Sequence, residues 1–148
     1  LIKAGINFNP VQDNESSSVR GVIRGLHYQV NPYCQAKLVR VIDGSIYDVA
    51  LDLRKGSATF GKWFGIELSS ENRKQLFIPR GFAHGFSVLS EKAVIQYKID
   101  NIYNPKAERG ISVFDPELKI DWKIDRENLT LSDKDLKNPV FANAEFDF

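Results

Sequence analysis

The amino-acid sequence predicts an all-β fold, and three observations carry that prediction. Short runs of β-branched and aromatic residues recur between residues 20 and 114, punctuated by Gly, Asn, Pro or Ser. Helical periodicity is nearly missing from the same span. The chain has 148 residues, 43% of them hydrophobic, with 10 Phe, 5 Tyr and 2 Trp, which is enough apolar surface for one core. Strands at this spacing fit an antiparallel sandwich or barrel. At this length folding buries roughly 68–70% of the unfolded surface, so stability requires neither a disulfide nor a structural metal.

Taken in order, the predicted strands are Gly21–Leu26, Ala36–Asp43, Ser45–Asp52, Lys62–Leu68, Lys74–Ile78, His84–Leu89, Ala93–Ile99 and Gly110–Phe114. Leu38, Val39 and Val41 precede an Asp43-Gly44 turn, and Ile46, Val49 and Leu51 follow it. That pattern predicts a hairpin. Pro79-Arg80-Gly81 reads as a tight turn entering the strand that carries His84. The one predicted helix is short and late. Ser132 serves as its N-cap, Asp133 and Asp135 supply early acids, and Asn138-Pro139 ends it. Phe141–Phe148, three Phe among acids, is expected to pack against a neighbour or fray. No repeat, low-complexity tract or linker marks a boundary, so residues 1–148 read as one domain.

Charge and cysteine content exclude several classes. Twenty Lys plus Arg against nineteen Asp plus Glu leave a net charge of +1, so nothing favours a nucleic acid or a membrane surface as partner. Cys34 stands alone, which excludes an internal disulfide and a multi-cysteine zinc site. No apolar run approaches the ~18 residues of a membrane span and no secretory leader opens the chain, so the expected location is the cytoplasm.

Two histidines are present, His27 and His84. On an ideal strand Arg24 and His27 point to opposite sides, unless the intervening Gly25 introduces a bulge. A lone strand histidine is more often a satisfied structural residue than a catalyst. The surrounding motifs shift that balance. Gly21-x5-His27, Lys37-x6-Gly44 and Pro79-x-Gly81-x2-His84 resemble the two short motifs of the cupin superfamily, whose fold is a double-stranded β-helix, the jelly roll. Metal-binding cupins carry a second His two residues after the first and a Glu seven before the closing Gly. Gln29 and Lys37 stand there instead, so the resemblance implies no catalytic metal and no cofactor.

A narrower resemblance follows from further blocks in the same order: Gln12-Asp13-Asn14, Arg24-Gly-Leu-His-Tyr-Gln29, Gln35-x-Lys37, Asp48-Val-Ala-Leu-Asp-Leu-Arg54, Pro79-x-Gly-Phe-Ala-His-Gly-Phe86, Gln96-Tyr97-Lys98 and Leu131-Ser-Asp-Lys-Asp135. Together they resemble the dTDP-4-dehydrorhamnose 3,5-epimerase family over about residues 5–140. Members invert the two carbons flanking the ketone of a nucleotide-linked 4-keto-6-deoxy sugar. The resemblance implies His27 as general base, Asp135 as the carboxylate that orients it, Lys37 as the cation at the enolate oxygen, and Tyr97 as the acid on the opposite face. It assigns Arg24 to the diphosphate. His84 and Asp48 become a supporting pair beside the sugar, while Gln12, Asn14, Tyr103 and Glu108 line the pocket. The implied ligand is a dTDP-linked 4-keto sugar, and the implied assembly is a homodimer.

Taken singly, these residues have ordinary readings. Lys37 fits a solvated edge-strand charge, Tyr97 a half-buried aromatic, Asp135 a helix start and Arg24 a surface ion pair. Asp48 and Asp52 fit solvent-facing positions, and Asp13 fits a turn closure. Two departures stand out: Glu15 replaces a usual His, and Arg80 stands where an acid is frequent. The chain opens on Leu1 without any Met, and members ordinarily carry a few dozen residues before the matching point. The alternatives are a single-carbon epimerase, a non-catalytic nucleotide-sugar-binding jelly roll and, least favoured, a metal-dependent cupin.

Overall fold

The β-branched and aromatic runs become strands β2 (Ile23–Gln29), β3 (Lys37–Asp43), β4 (Ser45–Asp52), β5 (Trp63–Ser69), β6 (Gln75–Ile78), β7 (Phe82–Val88) and β8 (Lys92–Ile99), with β1 (Gln12–Val19) before them and β9 (Glu108–Gly110) after. The computed structural model describes residues 1–148. It divides the strands between a four-stranded sheet, β1-β8-β3-β6, and a five-stranded sheet, β5-β4-β7-β2-β9, with antiparallel pairing throughout. Two facing sheets of this kind make the jelly roll. Between them, Val39, Val41 and Ile95 of the smaller sheet meet Ile46, Ala50, Phe86 and Val88 of the larger. The outer face of the larger sheet is covered as well. Ile23, Leu26, Val49 and Leu51 pack there with Val113, Leu118 and Trp122 of the long segment after β9. Cover on both faces explains why the second half of β4, Asp48 to Asp52, is buried without interruption.

The Asp43-Gly44 turn is not a hairpin. β3 pairs with β6 and β8, β4 pairs with β5 and β7, and Gly44 carries the chain from one sheet to the other. At φ 79° a Cβ on Gly44 would stand 2.1 Å from the carbonyl oxygen of Lys92, so glycine is required by the close approach of the chain at β8. The dipeptide is the same in either arrangement. What separates them is the demand of a doubly covered β4 for partners in the larger sheet.

Three further expectations change. The strand predicted over Gly110–Phe114 is confined to Glu108–Gly110. Ile111 still exchanges backbone hydrogen bonds with Leu26, but the amide of Ser112 already donates to Pro139 and the chain leaves the sheet. The polar segment Gln12–Val19, which carries no alternating apolar signal, forms β1 and pairs with β8 along its whole length. Asp13 is therefore a strand residue rather than a turn closure, with its carboxylate 2.7 Å from Lys98 Nζ. Phe141–Phe148 folds back onto its own chain, where Tyr28 meets Phe146 and Phe148 edge-on and Phe60 packs on Phe141 and Phe146. The helix α1 (Asp133–Leu136) forms where its caps place it, and Ser132 Oγ accepts from the Asp135 amide at 3.1 Å. No helix is long and apolar enough to cross a membrane.

Candidate active site

Strand register assembles the site. In the smaller sheet, the rung Gln12–Ile99–Lys37–Ile78 lies beside the rung Asn14–Tyr97–Val39–Leu76, and both turn toward the larger sheet. Lys37 is thus a diagonal neighbour of Tyr97, its Nζ 5.8 Å from the ring centre. In the larger sheet a bulge interrupts β2: Arg24 lies opposite Phe86 while His27 lies opposite His84. Three residues of β2 therefore span two of β7, which turns Arg24 and His27 to the same side. Gly25 makes the bulge feasible, because a Cβ there would sit 2.6 Å from the Cα of Gly85. Gln29 and Glu108 are partners across β2 and β9 and share the inner face with His27.

A cavity of about 290 Å³ opens between the sheets, lined by Gln12, Asn14, His27, Gln29, Gln35, Lys37, Tyr97, Tyr103 and Glu108 together with Tyr28 and Ile99. Its volume suits a sugar ring, with the remainder of a larger ligand at the mouth. Two imidazole–carboxylate pairs stand at its wall, one reaching the cavity and one behind it. His27 Nε2 lies 2.5 Å from Asp135 Oδ1, and the other Asp135 oxygen accepts from the Gly25 amide at 3.2 Å. The His27 side chain remains 30% exposed to the cavity, whereas Asp135 is 3% exposed. His84 Nε2 lies 2.7 Å from Asp48 Oδ1, and this second pair is sealed, at 7% and 0%.

Electrostatics assigns capacities. Burial of Asp135 opposes its charge, but the hydrogen bond from His27 and the backbone donor at Gly25 outweigh burial and hold the carboxyl below its ordinary range. Burial drives Lys37 down to about 8, against the pull of Asp48 and Glu108. Burial raises the Tyr97 phenol, with Arg24 opposing, so the phenol stays protonated and able to donate. Burial also lowers His84, with Lys37 and His27 adding to the effect against Asp48, which favours a neutral ring. Glu108 is destabilised by burial yet lowered overall by its bonds from Lys134 and Tyr103; the Tyr103 hydroxyl lies 3.0 Å from it.

The residues implied by the sequence fall into three positions. His27, Lys37, Tyr97, Gln12, Asn14, Tyr103 and Glu108 line the cavity directly. Asp135, His84 and Asp48 are buried behind it. Arg24 is exposed outside the lining, close enough to act on Tyr97. The solvent-facing alternatives for Asp48 and Asp52 are wrong: both are buried, Asp48 on His84 and Asp52 on Arg54, Ser57 and Thr59. No group of three or more His, Cys, Asp or Glu converges as a metal site. Sequence reasoning passed over Gln35 and Lys134. Gln35 sits two residues before Lys37, the spacing that puts both on one side of an extended segment. Lys134 adjoins Asp135 on the helix and reaches Glu108.

Jelly rolls of this kind form the cupin class, and the imidazole, ammonium and phenol that face one another across the cavity are groups suited to acid–base chemistry. A family profile described as dTDP-4-dehydrorhamnose 3,5-epimerase matches residues 1–143. The dTDP-4-dehydrorhamnose 3,5-epimerase of Shigella flexneri is 53% identical over 136 residues, covering 92% of this chain and 74% of that protein. The crystal structure of an Elizabethkingia anophelis dTDP-4-dehydrorhamnose 3,5-epimerase superposes with a TM-score of 0.94 at 51% identity, over 96% of this chain and 78% of that one. A Legionella pneumophila dTDP-6-deoxy-D-glucose-3,5-epimerase in complex with dTDP-4-keto-L-rhamnose gives a TM-score of 0.91 at 47% identity, over 96% and 74%. The chain belongs to the dTDP-4-dehydrorhamnose 3,5-epimerase family.

Proposed function

We propose that the protein inverts C3 and C5 of dTDP-4-dehydro-6-deoxy-D-glucose, giving dTDP-4-dehydro-L-rhamnose, by acid–base enolisation without a cofactor. The observation that carries this reading is the placement of His27 and Tyr97 on opposite sheets, facing one cavity from its two sides. Inversion requires a proton removed from one face of a carbon and returned to the other. With the ketone between them, His27 takes the proton from the carbon beside C4. Electrons move into the C4 carbonyl, and the oxyanion forms near the Lys37 ammonium, where fixed positive charge acts on charge that develops in the transition state. Tyr97 then donates its hydroxyl proton from the other sheet, and Arg24 steadies the phenolate left behind. Asp135 acts through His27, fixing its tautomer and stabilising the imidazolium. C3 and C5 flank the same carbonyl, so one constellation serves both once His27 has released its proton to water and the Tyr97 phenolate has taken one back.

His84 and Asp48 support the wall behind His27 and Lys37 without exchanging protons with substrate. Arg24 at the mouth suits a diphosphate. The half-exposed Tyr103 ring offers a face to a planar base, and Gln12, Asn14 and Glu108 supply the polar contacts between. Residues 1–148 act as one catalytic domain, since both sheets contribute to a single cavity. A homodimer is the assembly we expect, with the end strands β1 and β5, the latter exposing Phe64, as the edges it would cover. The cytoplasm suits a buried free thiol at Cys34. Incubation with the dTDP-4-keto sugar in D2O, read by NMR, tests the reaction: deuterium at both C3 and C5 is expected. Label at one carbon alone would make this a single-carbon epimerase, and binding without label would make it a nucleotide-sugar-binding protein.

A further inference from the structure

Gln29 is buried on the inner face of β2, at 4% exposure, two residues after His27. Its amide group is fully committed. Nε2 donates to the carbonyl of Tyr33 at 2.7 Å and to that of Ile102 at 3.1 Å, and Oε1 accepts from the amide of Asn104 at 2.7 Å. Ile102 and Asn104 are the two neighbours of Tyr103, so one side chain grips the backbone on either side of the aromatic residue at the mouth. The grip matters because Tyr103 lies in the connection between β8 and β9, outside any sheet ladder. Related amides stitch the same connection to the segment after β2: Gln35 Nε2 donates to Asn101, and Asn101 Nδ2 donates to Pro32.

We infer that Gln29 is a positioning residue for substrate binding: by clamping the backbone at 102 and 104 it holds the Tyr103 ring, with its Glu108 partner, where it closes the cavity mouth over a nucleotide-linked ligand. This rests on the reading of the cavity as a dTDP-sugar site. Removing the amide leaves the carbonyls of Tyr33 and Ile102 and the N–H of Asn104 without the partner that ties them to β2, and the 102–104 backbone relaxes toward water. His27, Lys37 and Tyr97 are held by separate register contacts and by Asp135, so the loss falls on binding rather than on the proton steps.

The test uses Gln29→Met, which keeps the length and flexibility of the side chain, and Gln29→Glu, which keeps one acceptor for Asn104 but opposes the two carbonyls. Each is measured for KM and kcat with the dTDP-4-keto sugar, and for dTDP affinity by calorimetry, alone and combined with Tyr103→Ala. KM and the dTDP dissociation constant are expected to rise about tenfold, with kcat changing less than about threefold. In the Tyr103→Ala background the Gln29 substitutions are expected to add almost nothing, because they act through that ring. Full additivity with Tyr103→Ala, a loss confined to kcat, or failure of both variants to fold would overturn the inference. Wild-type protein that neither turns over the keto sugar nor binds dTDP would overturn the functional reading, and the inference with it.

Discussion

The two imidazole–carboxylate pairs have their histidines opposite each other on neighbouring strands, yet the structure gives the pairs different surroundings. His27 and His84 are cross-strand partners, and each has a carboxylate oxygen within 2.7 Å. The His27 pair opens onto the cavity, and the second oxygen of its carboxylate accepts from the Gly25 amide, while Ser132 caps the Asp135 amide. The His84 pair is sealed, and the second oxygen of Asp48 has no hydrogen-bond partner. Under the proposed function, identical chemistry serves proton transfer in one place and structural support in the other. Access to the ligand and satisfaction of the carboxylate decide which is which.

That contrast can be broken by substitution, most strongly at the open pair. Asp135→Asn keeps the shape but offers the imidazole the wrong partner, and kcat is expected to fall ~10³-fold with little change in dTDP affinity. Steady-state kinetics beside calorimetry checks this. Lys37→Met removes the cation at the developing oxyanion and is expected to cost ~10²–10³-fold in kcat. The same change should raise stability at pH 7 by about 1–2 kcal/mol, since the wild-type ammonium is held charged against burial. Urea unfolding of both proteins measures it.

At the sealed pair the balance reverses. His84→Asn leaves Asp48 buried without its imidazole and is expected to lose about 3 kcal/mol of stability. Its kcat should fall only ~10-fold, because no proton passes through it. A loss of rate as deep as that of Asp135→Asn, with stability intact, would erase the distinction between the pairs.

The smallest effect is in pH dependence. Lys37 has a folded-state pKa lowered to about 8 from an ordinary 10.5, and its charged form is the competent one. kcat/KM should therefore decline as pH rises through about 8. Stability moves the opposite way: between about 8 and 10.5 the unfolded chain holds the proton that the folded chain has released, so this group makes folding more favourable as pH rises. Rate profiles and melting curves across that window separate the two signs.

Much of this was legible in the residues themselves. The apolar runs marked seven of the nine strands, and the Ser132 cap with its Asn138-Pro139 stop marked the helix. Strand β1 was hidden because an edge strand bordering a polar cavity alternates one polar set with another. Asp43-Gly44 misled because a turn dipeptide reports local backbone, not which sheet the next strand joins. The convergence of Arg24 and His27 depended on a bulge that Gly25 permits but does not announce. Gln29 was readable only as a replaced metal ligand, since its partners at Tyr33, Ile102 and Asn104 come from loops that sequence spacing does not bring together.

The most direct measurement follows deuterium entry from D2O into the dTDP-4-keto sugar with His27→Asn beside the wild-type protein. The variant is expected to bind dTDP with nearly unchanged affinity and to leave both C3 and C5 unlabelled, while the wild type labels both. Label appearing in the variant at the wild-type rate would remove His27 from the proton transfer.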